Sequence, residues 1–274
     1  LVLHQKRPKN ILRKNSFIQK EWFPKMSSFT ALEEGSGAGQ IRSLGRLSLM
    51  SNYEKIKQKI TKKVQNLTNW EQGQDSDYDA MGSEINVVFC FSVAGGTGSG
   101  TFLDVAYVVK SALEDSQVEY KSQAYIVMPE IFDKIISNPL GKRRIYSNTY
   151  AALRELEFFM SGKYNKDFEL LDNGKITIPV DGAPFGLVHL VSSQNSEGDN
   201  FDEITHIMEV IGNSIVLKSG AFESEAIGGW SQIGGEIAQF DYLDDAKTQF
   251  PRYLGLGYAE IQYNTDLLAN FASA

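Results

Sequence analysis

The chain has 274 residues, a formal net charge of −7 and 42% hydrophobic residues. This composition is typical of a soluble globular protein with a substantial core, and the acidic balance argues against nucleic acid as a direct partner. No apolar run reaches the roughly 18 residues that a transmembrane segment needs, and no signal peptide is visible. The single cysteine, Cys90, excludes an internal disulfide framework, so we predict a cytoplasmic protein. The three histidines lack metal-ligand spacing, and no metal site is predicted.

Residues 1–29 form a basic N-terminal segment. The first 25 residues contain seven lysines and arginines but only one acidic residue, Glu21. A solvated surface or a mobile arm is the simpler interpretation, and a specific anion site is the alternative.

A glycine cluster within residues 33–46 opens a long amphipathic helical pattern. Apolar residues recur at helical spacing from Leu44 to Leu67, while lysines lie on the opposite face. A glycine-rich loop that meets a helix N-terminus can present backbone N–H groups to an anion. This cluster is therefore a potential phosphate contact.

The most informative segment is the loop Ala94–Thr101, which follows the apolar strand Ile85–Val93 and precedes a helical pattern that begins at Phe102. Its glycines allow close backbone approach to an anion, and its three hydroxyl side chains add donors. The candidate phosphate contacts are Ala94, Gly95, Gly96, Thr97, Gly98, Ser99, Gly100 and Thr101. We expect a valine at Gly98 to fill the ligand's space and to leave the fold intact.

Two common phosphate loops do not match this segment. The NTPase loop requires a lysine where Thr101 stands, and the dinucleotide pattern Gly-x-Gly-x-x-Gly is absent. A merely flexible glycine and serine turn is the alternative, but the flanking strand and helix favour a ligand loop.

The rest of the chain alternates between predicted strands and helices. A helix over 102–112 is followed by a strand at 123–128, a basic loop over 133–147, a helix over 148–160, a strand at 185–191 and a helix over 200–218. This order predicts an α/β fold with a parallel sheet and helices on both faces. Ligands of such sheets bind at the carboxyl ends of the strands, where these loops lie.

The lysine-free, hydroxyl-rich loop resembles the signature loop of the tubulin/FtsZ family, Gly-Gly-Gly-Thr-Gly-Ser/Thr-Gly, with Ala94 in place of the first glycine. Gly37, Ala38 and Gly39 match the family's preceding loop, which senses the terminal phosphate. The pair Gly45-Arg46 resembles the bacterial branch. At the level of these motifs, the amino-acid sequence is similar to divergent prokaryotic tubulin-like proteins over about residues 30–263.

The resemblance implies a Rossmann-like GTPase domain over residues 30–199, a long central helix with a catalytic loop over 200–250, and the start of a second domain over 251–274. The family's first glycine loop is not in this chain, so we expect the N-terminal part of the domain to precede it.

The resemblance also implies nucleotide contacts elsewhere. Arg143 or Arg144 would meet phosphate or ribose, with a solvated basic turn as the alternative. Asn195 would bond guanine, although its surroundings are also an ordinary turn composition. Phe201 would stack on the base or staple the core, and Asp202 would accept from the guanine.

Hydrolytic acids in this family come from the loop after the central helix and enter the neighbouring subunit's site. Asp241 and Asp244 match the acid spacing, and Gln239 replaces the family's asparagine. Each acid could orient the attacking water, or it could simply cap the next helix.

Taken together, the resemblance implies a cytoplasmic GTPase that binds GTP or GDP, with Mg²⁺ as a candidate companion, and self-associates head-to-tail into protofilaments. A non-hydrolysing tubulin-like scaffold that engages an adaptor protein is the first alternative. An unrelated nucleotide-dependent enzyme with its whole site in one chain is the second.

Overall fold

The computed structural model describes residues 18, 23, 38–73, 85–164, 166–169, 177–194, 198, 200, 201, 203–219 and 253–256. Its centre is a four-stranded parallel sheet of β1 (Ile85–Ser92), β2 (Tyr120–Val127), β5 (Leu187–Val191) and β6 (Tyr253–Gly255), in that spatial order. A separate antiparallel pair joins β3 (Phe168–Glu169) to β4 (Thr177–Ile178). The predicted α/β fold with a parallel sheet is confirmed.

Five α-helices accompany these strands in the described ranges. They are α1 (Arg42–Ser51), α2 (Tyr53–Gly73), α3 (Gly96–Asp115), α4 (Pro139–Met160) and α5 (Ile204–Ser219). A short 3₁₀ helix spans Pro129–Phe132. Each of these helices is too short or too polar to span a bilayer.

Strand β2 demonstrates that both faces of the sheet are covered. Ala124 and Ile126 pack into the cluster that includes residues of α3 and α4. Tyr125 and Val127 point the other way, into a cluster with Ile207 and Ile211 of α5. Because successive side chains of a strand alternate between faces, this continuous apolar run serves two cores.

The predicted long helix after the first glycine cluster is two helices, divided at Asn52. The backbone N–H of this residue donates to the Leu49 carbonyl at 2.9 Å, and its side-chain amide donates to the Ser48 carbonyl at 2.8 Å. Asparagine competes for backbone groups in this way, which ends α1 although the apolar spacing continues.

The prediction of a loop over 133–147 is wrong in its second half, because α4 begins at Pro139. Asn138 caps this helix by accepting a hydrogen bond from the Leu140 N–H at 2.9 Å, and proline is favourable in the first turn. The basic residues predicted for a loop therefore lie on a helix.

The segment predicted to open a second domain contributes β6 to the central sheet. Tyr253 and Leu254 are in parallel register with Val188 and His189 of β5. The division of the chain into domains stays a prediction.

Candidate functional site

Helix α3 begins at Gly96, inside the loop that sequence patterns extend to Thr101. Most glycines and hydroxyl residues of this segment therefore lie in the first turns of the helix. Ser99 is fully buried and donates its hydroxyl to the Gly95 carbonyl, and Thr101 donates to the Thr97 carbonyl at 2.8 Å. Both hydroxyl hydrogens are therefore used within the helix, and the contact of Ser99 and Thr101 with a ligand stays a prediction. Thr97 is the exposed hydroxyl of the three.

The glycines after Gly95 are required by contacts within the protein. A Cβ on Gly98 would lie 2.0 Å from the Ser92 carbonyl oxygen, and one on Gly100 would lie 2.2 Å from the Arg42 carbonyl oxygen. Gly96 and Gly45 face each other's helices, where a Cβ would approach backbone atoms to 2.4 and 2.2 Å. Helices α1 and α3 thus pack backbone to backbone. The expectation that Gly98→Val leaves the fold intact is wrong, since the new side chain meets Ser92 first.

Gly95 differs from its neighbours. It is the N-cap of α3, with φ −82° and ψ 168°, and a Cβ placed on it would have no atom within 4 Å. Its backbone conformation is one that any residue adopts. Gly95 is therefore the position of the motif at which a side chain would enter open space.

That space is a cavity of about 720 Å³, which we call the glycine cavity. Both glycine clusters line it, through Ala38, Gly39 and Gln40 on one side and Ala94–Gly98 on the other. Phe91, Ser92, Phe132, Ile136 and Ile145 form the rest of the wall. The cavity lies beyond the carboxyl end of β1, where the resemblance implies a nucleotide.

Two backbone features give the glycine cavity its shape. Gly39 and Gln40 both have positive φ, at 55° and 60°, and the Ile41 N–H closes the turn on the Ala38 carbonyl at 2.9 Å. Across the cavity, the first N–H groups of α3 lack carbonyl partners within the helix, as in any α-helix. Together with the helix dipole they make this end favourable for an anion.

Sequence patterns missed Asn148, which lies on α4. Its amide nitrogen donates to the Gln40 carbonyl and to the Ala94 carbonyl, both at 3.0 Å. These carbonyls belong to the two walls of the glycine cavity. The only sequence signal was an amide residue on a helix, which is too common to single out.

A second cavity of about 500 Å³ lies beside the next turns of α3, and we call it the ion-pair cavity. Arg46 forms a bidentate pair with Asp104, at 3.0 and 2.9 Å, and its guanidinium lies 5.5 Å from the centre of the Phe168 ring. Arg42 pairs with Glu155 and donates to the Ser99 carbonyl at 3.1 and 2.8 Å. Both arginines are thus engaged by protein acceptors.

Asp104 is the buried member of this group, with 4% side-chain exposure against 27% for Arg46. Burial raises the pKa of the Asp104 carboxyl, although the neighbouring Arg46 guanidinium acts in the opposite direction. Because burial outweighs pairing, ionising the Asp104 carboxyl is costly even though it forms a bidentate pair with Arg46.

Two further predicted contacts fall on described residues. Arg143 is exposed on the second turn of α4. Phe201 is partly buried, packs against the Tyr125 and Ile207 cluster, and donates its N–H to the Ser193 carbonyl at 2.6 Å. This packing is what the core-staple interpretation of Phe201 requires.

Several predicted residues lie outside the described part of the chain. They are Gly37, Asn195, Asp202, Gln239, Asp241 and Asp244. Across the described residues, acids, histidines and cysteine form no group of three that could hold a metal ion.

Comparison with known proteins identifies the family. A family model described as "Tubulin like" matches residues 2–274. No curated protein and no solved structure matches the chain. Since the matched span is nearly the whole sequence and the fold is a parallel sheet flanked by helices, the chain belongs to the tubulin-like family.

Proposed function

We propose that this tubulin-like chain binds GTP or GDP in the glycine cavity, with the phosphates at the N-terminus of α3. The observation that carries the proposal is the meeting of two glycine clusters, distant in sequence, at one cavity beyond a parallel strand. Backbone N–H groups at a helix start can bind a phosphate chain without a lysine. Gly95 provides room for close approach, because a Cβ there meets nothing.

The walls of the glycine cavity carry no charged side chain among the described residues. Side-chain oxygens come from Gln40, Ser92 and Thr97. Phosphates bound here would keep much of their charge, which favours Mg²⁺ as a companion, held by phosphate oxygens and water. Thr97, exposed on the first turn of α3, is the hydroxyl suited to contact either group.

Guanine would lie beyond the carboxyl end of β5, near Asn195, Phe201 and Asp202. Ligands of parallel sheets bind at the carboxyl ends of neighbouring strands, and β2 with β5 continues the sheet from β1. Phe201 already packs on the core beside β5, so its proposed role is to support the base site rather than to stack freely. Arg143, exposed on α4, remains a candidate for phosphate or ribose.

We further propose that head-to-tail assembly completes the hydrolytic site. Helix α5 has 16 residues and spans about 24 Å at the usual rise per residue. Asp241 and Asp244 follow this helix in sequence, and the proposal is that they serve a neighbouring subunit rather than their own phosphates. A contact of this heterologous kind does not close on itself and generates a filament.

Nucleotide binding is tested with Gly95→Val, using Gly212→Val as the matched control. A Cβ at either glycine meets no atom within 4 Å, but Gly95 lines the glycine cavity and Gly212 lies on α5. We expect Gly95→Val to weaken GTP and GDP binding by at least about tenfold, or 1.4 kcal/mol, with the unfolding midpoint nearly unchanged. Titration of GTP, GDP and ATP by calorimetry measures this. Unchanged GTP affinity in Gly95→Val would exclude this cavity, and equal ATP affinity would remove the guanine site.

Hydrolysis is tested with Asp244→Ala, using the adjacent Asp245→Ala as control. We expect Asp244→Ala to bind GTP normally, to sediment as polymer and to hydrolyse at least about 10²-fold more slowly, the contribution of a positioned base. Mixing it with Gly95→Val should restore turnover, since one subunit then supplies the acids and the other the nucleotide. Wild-type turnover per molecule should rise with protein concentration. Binding without any turnover would favour the scaffold alternative, and turnover independent of concentration would place the whole site in one chain.

A further inference from the structure

Asn148 joins the two walls of the glycine cavity. Its side-chain nitrogen has two hydrogens, and each bonds one carbonyl oxygen, that of Gln40 and that of Ala94, at 3.0 Å. These partners are 108 and 54 residues away in sequence, so the contact belongs to the tertiary structure. The amide therefore links the two walls directly, in addition to the close backbone packing of α1 against α3.

The two carbonyls that accept these bonds, those of Gln40 and Ala94, each lie at a constrained point of the backbone. Gln40 has a left-handed backbone with φ 60°, which is unfavourable for a residue with a Cβ and persists where surrounding contacts hold it. Ala94 is 2% exposed and directly precedes Gly95, the N-cap of α3. The bonds from Asn148 hold a strained turn on one wall and the entry to the helix on the other.

The two hydrogen bonds from Asn148 also affect the electrostatic potential in the glycine cavity. A carbonyl oxygen carries partial negative charge, so an unbonded one turned toward the cavity would repel a phosphate. With both oxygens engaged by the Asn148 amide, the cavity keeps the N–H end of α3 as its dominant dipole.

We propose that Asn148 is a positioning residue that sets the width of the glycine cavity and keeps two carbonyl oxygens away from the phosphates. The inference rests on the proposed nucleotide function. It predicts that the loss on removing Asn148 grows with the length of the phosphate chain, because longer chains meet more of both walls.

The test compares Asn148→Ala with Asn138→Ala on the full chain. Asn138, the N-cap of α4, is also an asparagine whose side chain bonds backbone, but its partner is the Leu140 N–H of the same helix rather than a carbonyl of either wall. We expect Asn148→Ala to lower GTP affinity roughly tenfold, GDP affinity less, and GMP affinity least, a size typical of a lost hydrogen bond. Asn138→Ala should lower thermal stability while leaving the ratio of GTP to GMP affinity unchanged.

A second variant, Asn148→Asp, gives a readout that general loosening would not. The ionised carboxylate can only accept hydrogen bonds and would face two carbonyls, whereas the protonated acid donates one. Its GTP affinity relative to Asn148→Ala should rise as pH falls through the carboxyl pKa. A ratio that is flat with pH would overturn the inference.

Hydrogen exchange without nucleotide tests the clamp, by which we mean the two hydrogen bonds from Asn148 to the Gln40 and Ala94 carbonyls. Amides of residues 38–44 and 93–98 should exchange faster in Asn148→Ala than in the wild type. Their exchange rates in Asn138→Ala should equal those of the wild type. Unchanged exchange in Asn148→Ala would overturn the clamp. Failure of the wild-type chain to bind any nucleotide would overturn the proposed function and, with it, the nucleotide role of Asn148. Wild-type binding with equal losses in both variants would overturn the role of Asn148 alone.

Discussion

The glycine cavity and the ion-pair cavity lie along successive turns of α3, yet they are chemically opposite. The first is lined by glycines, apolar side chains and three neutral polar side chains, while the second contains two arginines and two carboxylates. Judged by residue type alone, the arginines would be the better phosphate ligands. They are already bonded to Asp104, Glu155 and the Ser99 carbonyl.

The comparison teaches that an anion site depends on available donors rather than on the number of basic residues. In the ion-pair cavity, bringing a phosphate to Arg46 would break its pair with Asp104, and leaving the buried Asp104 carboxylate unpaired is costly. At the glycine cavity, the first N–H groups of α3 have no helical acceptor, and no such exchange is needed. The ion-pair cavity instead joins α1 to α3 and α4.

The largest expected effect distinguishes an open wall of the glycine cavity from a closely packed one, and the test adds one methyl group at Gly95 or at Gly98. Gly98→Ala should destabilise the protein by about 3 kcal/mol or more, because its Cβ would lie 2.0 Å from a backbone oxygen that has little freedom to move. Gly95→Ala should change stability by less than about 0.5 kcal/mol. Urea unfolding measures both. Since alanine is the better helix former by about 1 kcal/mol, a stabilised Gly98→Ala would show that the close approach to Ser92 does not exist.

The second test removes the Arg46–Asp104 pair in steps. Asp104→Leu should cost about 3 kcal/mol, the low end for a broken buried pair, because Arg46 keeps 27% exposure and some hydration. Arg46→Met combined with Asp104→Leu should recover most of that loss, since the uncompensated charge is gone. A double-mutant cycle by urea unfolding measures the coupling. If the double variant is as unstable as the sum of the singles, the pair has no coupling of its own.

The smallest expected effect is a pH dependence at Asp104. Its folded pKa is raised, so the folded state binds the proton more tightly than the unfolded state does. The resulting stabilisation is full below the unfolded pKa of about 3.9 and is lost as pH rises through the folded pKa. The unfolding free energy of the wild type minus that of Asp104→Asn should therefore fall with pH, by at most about 1.4 kcal/mol per unit. A difference that rises with pH would mean that pairing with Arg46 outweighs burial.

Much of the fold was predictable because local patterns carry it. The apolar strand before Ala94, the strand over 123–128 and the helix after 200 all appear in the structure, with shifted ends. The errors occur where a single polar side chain overrides periodicity. Asn52 ends α1 within an unbroken apolar pattern, and Asn138 with Pro139 starts α4 inside a segment that reads as a loop.

Predictions for the candidate site divide in the same way. The pairing of the two glycine clusters was expected from the family resemblance, and in the structure both line the glycine cavity. The separate roles of the glycines do not follow from the sequence. Gly95 and Gly98 are the same residue type three positions apart, and only their neighbours distinguish an open wall from a close contact.

The sequence by itself determined the alternation of strands and helices, the parallel sheet and the membership of the tubulin-like family, because these depend on periodicity, composition and local motif order. The tertiary structure alone decided that Ser99 and Thr101 bond their own helix, that Arg42 and Arg46 are neutralised, and that Asn148 ties the two cavity walls together. The physical reason is that a hydrogen bond or an ion pair is set by distance and direction in space. Residues 54 or 108 positions apart carry no local pattern that reveals such a contact.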